Sequence, residues 1–183
     1  MGAAVKMRLR SERGTTLVET AIACAILLVV TVGLLSMVAV ATTYTENHGH
    51  LEARTTEYAQ DKMEQLLALA FTDSVSNSVV FPAAITGGTG LSVGGSVNTA
   101  APVNGYVDWL AYDGSLLGGG TTAPAKWFYE RAWQVCYLQS NGSCATTPAS
   151  GMKQVAVTVR VRSSVGRAIV PKSTVAALKT SSF

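Results

Sequence analysis

The chain changes its hydrophobic rhythm three times. From Thr20 to Thr45 no charged residue occurs and apolar density is high through Ala21–Ala41, the pattern of a helix buried on all sides rather than on one. At 1.5 Å per residue that run is long enough to cross a hydrocarbon core of ~30 Å. Beyond it, Ala53, Tyr58, Ala59, Met63, Leu66, Leu67 and Ala70 recur at spacings of three and four among charged residues, which predicts an amphipathic continuation. A near-continuous helix over 15–70 is therefore expected, ~80 Å long. Gly33 and Gly49 are its weak points, since an interior Gly costs ~1 kcal/mol relative to Ala.

After Phe71 the composition turns to Gly, Ser, Thr, Asn and Val, and the helical period fades until the last ten residues. Lys153–Arg162 alternates Val155, Val157, Val159 and Val161 with Ala156, Thr158, Arg160 and Arg162, a strand with one buried and one wet face. Lys126–Leu138, with Trp127, Tyr129, Trp133 and Tyr137, is its expected antiparallel partner, and Arg167–Val170 a short third strand. Between Asp73 and Ala125, Gly87-Gly88, Gly94-Gly95 and Gly118-Gly119-Gly120 interrupt short apolar pieces such as Val79–Phe81 and Tyr106–Tyr112, so loops with one or two edge strands are expected. The expected class is α+β: a long N-terminal helix, partly transmembrane, packed on a small antiparallel sheet. The divisions are a leader at 1–14, a helix at 15–70 whose apolar half is 15–43, and a β-rich head at 71–183.

Charge sharpens this picture. Lys6, Arg8, Arg10 and Arg13 against Glu12 leave residues 1–14 at +3, which is the net charge of the whole chain. The excess is thus a leader, not a nucleic-acid surface. Bases before the apolar run hold that end in the cytoplasm and send the head out. In a secretory signal the cleavage site follows the apolar region; here Gly14 precedes it, so cutting there leaves the helix on the mature protein. The stem is acidic (Glu46, Glu52, Glu57, Asp61, Glu64 against Arg54 and Lys62) and residues 71–183 are basic, an asymmetry that serves solubility or pairing between neighbouring copies.

One acid stands at the start of the apolar run: Glu19. A carboxylate inside a membrane segment is costly and marks function. Gly14-Thr15-Thr16-Leu17-Val18-Glu19 followed by an apolar helix resembles the processing site of the type IV pilins and secretion pseudopilins, whose pattern is Gly-Phe-Thr-Leu-Ile-Glu. The likeness covers roughly residues 6–43 and departs from the pattern at Thr15, where the family has Phe or Met. It implies a pilin fold, cleavage after Gly14 by a prepilin peptidase, N-methylation of Thr15, and assembly through Glu19, which neutralises the new amine of a neighbouring subunit. Tyr58–Leu67 resembles the matching helix of V-class minor pilins and I-type pseudopilins, which implies a minor subunit. The partners implied are the peptidase, other pilin or pseudopilin subunits, the inner-membrane assembly platform, and lipid before assembly.

The remaining chemistry is sparse. Of the three cysteines, Cys24 lies in the apolar helix, while Cys136 and Cys144 fall in the exported head. Their disulfide is expected over two free thiols or a metal pair, because the compartment is oxidising and no histidine is near. His48 and His50, the only histidines, point to different sides of a helix and do not share a metal. Asn141-Gly142-Ser143 fits a glycosylation pattern but reads as a turn. Arg160, Arg162 and Arg167 offer a basic stripe for DNA, weakened by the lack of interleaved aromatics. No triad forms without a histidine in the head, and no buried acid or base is evident there; neither catalysis nor a cofactor is expected. The rival to a filament subunit is a monomeric signal-anchored binding protein, which has no use for Gly14 or Glu19.

Overall fold

The computed structural model describes residues 16–77, 88–148, 151–162 and 170–181. Gly14, Thr15, Val79–Phe81 and Arg167 lie outside them. Two compact units divide at Glu46 and Asn47. Helix α1, Leu17–Ala68, contributes to both, and each unit is described by itself.

In the first unit α1 begins at Leu17. Thr16 is its N-cap, and the Glu19 amide donates to Thr16 Oγ1 at 3.3 Å. The side chains that follow stand exposed, including Ile22, Ile26, Leu27, Leu28, Val29, Leu35 and Val40.

The second unit holds the remainder of α1 and an antiparallel sheet, which establishes the α+β class. The strands are β1 Gly94–Gly95, β2 Val107–Leu110, β3 Leu116–Gly119, β4 Tyr129–Leu138, β5 Cys144–Ala145, β6 Met152–Val161 and β7 Lys172–Thr180. The main path runs β3-β2-β4-β6-β7, and β1 and β5 also pair with β4. β4 is the axis, because its ten residues carry the heaviest aromatic load and its two edges are both occupied.

The face toward α1 is built by alternation. Tyr129, Trp133 and Val135 of β4 line up with Val161, Val157 and Val155 of β6, and all six are buried. Leu51, Ala59, Met63 and Leu66 of α1 complete that core. Ala53 and Ala70, expected on the apolar side, are exposed; Thr55 and Lys62 are buried in their place. Spacing alone could not separate them, because a small Ala fits either side, whereas Thr55 finds Ser173 Oγ of β7 at 2.8 Å. Lys179 of β7 donates to the carbonyl of Leu67, and Lys153 of β6 to that of Phe71 at 2.7 Å. These lysines supply the positive charge that the last turn of α1 lacks.

Of the expected third strand, residues 167–169 lie outside the described residues. Val170 is not in a strand, and Lys172–Thr180, which overlaps the terminal stretch whose pattern suggests a helix, forms β7. Val175 and Ala177 face the core opposite Val157 and Val155, and registered pairing with β6 from Met152 to Arg160 outweighs a weak helical preference. The outer face of the sheet is not uniformly wet either. Arg160 donates to Thr99 O at 3.0 Å, and Val107, Ala132 and Glu130 are fully buried. Gly95 permits this closeness: its φ is +78°, and a Cβ there would come within 2.2 Å of the Trp133 carbonyl.

Cys136 and Cys144 form the expected disulfide, with a Cα–Cα distance of 5.4 Å. It closes the β4–β5 hairpin. Gly142, at φ +80°, makes the turn, and the Gln139 and Ser143 backbones pair across it.

Candidate functional site

Two regions carry unusual chemistry: the start of α1, and the polar groups closed between α1 and the sheet.

Glu19 is exposed, and it occupies the third helical position after the Thr16 cap. There a carboxylate is favoured by the amino-terminal end of the helix and can complete a capping box. The Ser and Thr hydroxyls that follow, as far as Thr45, are returned to the helix itself. Thr20 bonds Leu17 O, Thr31 bonds Leu28 O, Ser36 bonds Gly33 O, Thr42 and Thr43 bond Ala39 O, and Thr45 bonds Ala41 O. A helix in an apolar medium must satisfy its polar groups in this way, since no water is present to do so. This is one helix long and apolar enough to cross a membrane, with a mean hydropathy of 2.7 in its most apolar window. Cys24 is exposed on it, and His50 is exposed farther along. His48 stands 3.3 Å from Glu52. Among the described residues no group of His, Cys, Asp or Glu could hold a metal ion.

The expectation that the head contains no buried acid or base is wrong. Asp108 and Glu130 are fully buried on β2 and β4, and Lys62 of α1 and Lys153 of β6 are buried with them. Asp108 takes Arg131 at 2.9 and 2.7 Å through Nε and Nη2, and Arg131 Nη1 reaches Asp61 on α1 at 2.9 Å. Lys62 Nζ lies 2.9 Å from the same Asp108 oxygen without an aligned hydrogen bond, and 4.1 Å from the Trp133 ring centroid. The stem's acid Asp61 is thus paired within its own chain. Glu130 is held by Arg160, and burial still raises its pKa because desolvation outweighs that partner. Sequence pattern marks these charges weakly, because Asp108 sits singly in the four-residue β2 and Glu130 stands beside Arg131 at the start of β4. The available signal was an acid between apolar or aromatic neighbours, as in Val107-Asp108-Trp109.

The basic stripe is also altered. Arg160 is engaged by Glu130 and Thr99, and Arg162 by the carbonyls of Ala125 and Trp127. The aromatic that sequence spacing hid is Trp127, 5.4 Å from Arg162 and 6.0 Å from Arg160.

Burial lowers the Lys62 pKa to about 8; Asp108 opposes the shift and Arg131 adds to it. In the unfolded chain the amine titrates near its ordinary value of ~10.4. Between these values the unfolded state binds more protons, so stability rises with pH. Tyr129, raised by burial to about 12, acts in the opposite direction only above pH ~10, where an unfolded tyrosine ionises. The urea midpoint is expected to rise from pH 8 to pH 10, by up to ~1.4 kcal/mol per unit from Lys62. In Lys62→Met the rise should shrink sharply; an equal rise in that variant would assign it to other groups.

Comparisons with protein-family models, with curated proteins and with solved structures find no match to this chain.

Proposed function

We propose that this chain is a structural subunit, and a minor one, of a type IV pilus or secretion pseudopilus filament. In this reading it is cut after Gly14 by a prepilin peptidase, methylated at Thr15, held in the inner membrane by the first part of α1 with its head outside, and then drawn into a filament. The pilin fold, the minor role and the partners named above belong to the same proposal. One observation carries it: α1 exposes a largely apolar surface from Leu17 to Val40 in which Glu19, in the first turn, is the single charged side chain. Lipid covers such a surface before assembly, and the helices of neighbouring copies cover it afterwards. A free amine at Thr15 and a neighbour's Glu19 leave water together, and each then neutralises the other in a medium of low dielectric.

The intact mass of the protein from native membranes tests the processing. A start at Thr15, one methyl group heavier, is expected when the peptidase is present, and a start at Met1 when it is absent. A start at Met1 in both would favour the signal-anchored binding protein. Glu19 is tested by two variants, since its place near Thr16 also suits a capping role. Gln retains capping and removes the charge. Glu19→Ala and Glu19→Gln are both expected to be processed and folded yet to enter filaments at least ~10-fold less, a conservative figure for a stranded buried charge. Normal incorporation of Glu19→Gln would reduce Glu19 to a cap.

A further inference from the structure

A second feature of the head belongs to neither the filament helix nor the Asp108 cluster. At the carboxyl end of α1 a cleft of about 410 Å³ opens between Phe71, Val93, Tyr137 and Pro148, with Lys153 among its lining residues. Lys153 is 5 % exposed. Two of its three N–H donors are used, by Phe71 O at 2.7 Å and Leu91 O at 2.8 Å. Its ammonium also lies 4.7 Å from the Phe71 ring centroid and 5.6 Å from that of Tyr137.

Among the described residues this cation has no counter-charge. Every side-chain acid beyond Glu12 lies in the described residues, and none forms an ion pair with Lys153. Burial lowers its pKa, with no carboxylate near enough to offset the shift. Asp73 is the one acid on the cleft wall, and it is turned into its own loop. Its Oδ1 accepts from the Val75 and Ser76 amides and its Oδ2 from Ser76 Oγ. The cross-strand neighbour of Lys153 is Lys179, a second cation, so the site is short of negative charge from both strands. The α1 carbonyls supply only partial charge.

We infer that this cleft binds a carboxylate borne on an aromatic or bulky apolar group, the carboxylate meeting the third N–H of Lys153 and the apolar body lying between Phe71, Tyr137 and Pro148. One free donor suits a monoanion of this kind better than a phosphate, which calls for several donors around it. Ser92, Thr72 and Thr146 on the lining provide hydroxyls for the second carboxylate oxygen. The carboxylate can come from a free organic acid or from the last residue of a protein chain; both present the same group.

The test uses the full chain in detergent micelles, titrated with N-acetylphenylalanine and with its amide, and followed by backbone NMR. Saturable shifts confined to Phe71–Ser74, Ser92, Tyr137 and Thr146 are expected with the acid, and binding at least tenfold weaker with the amide. Titration with a short peptide ending in free Phe separates the sources: tighter binding than the acetylated acid assigns the site to a chain terminus, and weaker binding to a free acid. Equal binding of acid and amide, or no saturable shift with any probe, overturns the inference. Lys153→Met should abolish the preference for the acid. Because that change also strands two carbonyls, Tyr137→Ala serves as the second variant; it should weaken the acid and leave the discrimination against the amide in place. Neither result depends on N-terminal processing or filament entry.

Discussion

Asp108→Asn is expected to cost the head about 3–5 kcal/mol, read as a lowered urea midpoint of the full chain in detergent. The substitution keeps the volume and removes only the charge. Arg131 retains Asp61, which is half-exposed, but Lys62 is fully buried and has Asp108 as its one ion-pair partner among the described residues. Stranding that ammonium is what makes the loss large. Two further variants separate charge from geometry. Lys62→Met removes a desolvated cation and leaves Asp108 held by Arg131, so its loss should be well below that of Asp108→Asn. Adding Lys62→Met to Asp108→Asn should then recover part of the stability, a coupling that independent sites would not show. A loss under ~1 kcal/mol for Asp108→Asn would mean that the cluster is hydrated and that the charges are not stabilising one another.

Trp133→Ala is expected to be of similar size, about 3–5 kcal/mol, for a different reason. Trp133 is fully buried at the centre of β4, 6.2 Å between ring centroids from Tyr106, and its ring carries the Lys62 ammonium. Truncation therefore opens a cavity and also removes a cation–π contact. Trp133→Phe distinguishes the two losses. It keeps a ring beneath Lys62 and deletes Nε1, a buried donor with no hydrogen-bond partner. That deletion offsets some of the lost volume, so Phe should cost less than half of what Ala costs. Hydrogen exchange of the β4 and β6 amides is the appropriate readout, because Trp133 is itself a fluorophore. Equal losses for Ala and Phe would show that the indole, rather than an aromatic ring, is required.

Much of the architecture is legible in the residues because periodicity is a local property. A run without charge, the Val alternation of β6 and the Asn141-Gly142 turn each declare themselves within a few positions, and all three recur in the structure. The Cys136–Cys144 pairing was open to sequence reasoning only through the expected export of the head and the lack of a histidine nearby, and the structure forms it. By contrast, the terminal stretch that holds β7 reads as helical because nothing within its own residues outweighs their mixed pattern; β6 supplies what decides it.

The division has a physical basis. By itself the sequence determined the apolar helix with Glu19 at its start, the class of the head and the strand that anchors its core, since these depend on spacing along one segment. Only the tertiary structure decided which charges are buried. Asp108 meets Arg131 from 23 positions away, and Lys153 meets Phe71 from 82, each across different elements. A charged side chain in an apolar strand carries no mark of whether folding will bring it a partner. Desolvation is settled by what packs above it, and that depends on register and layer rather than on neighbours in the chain.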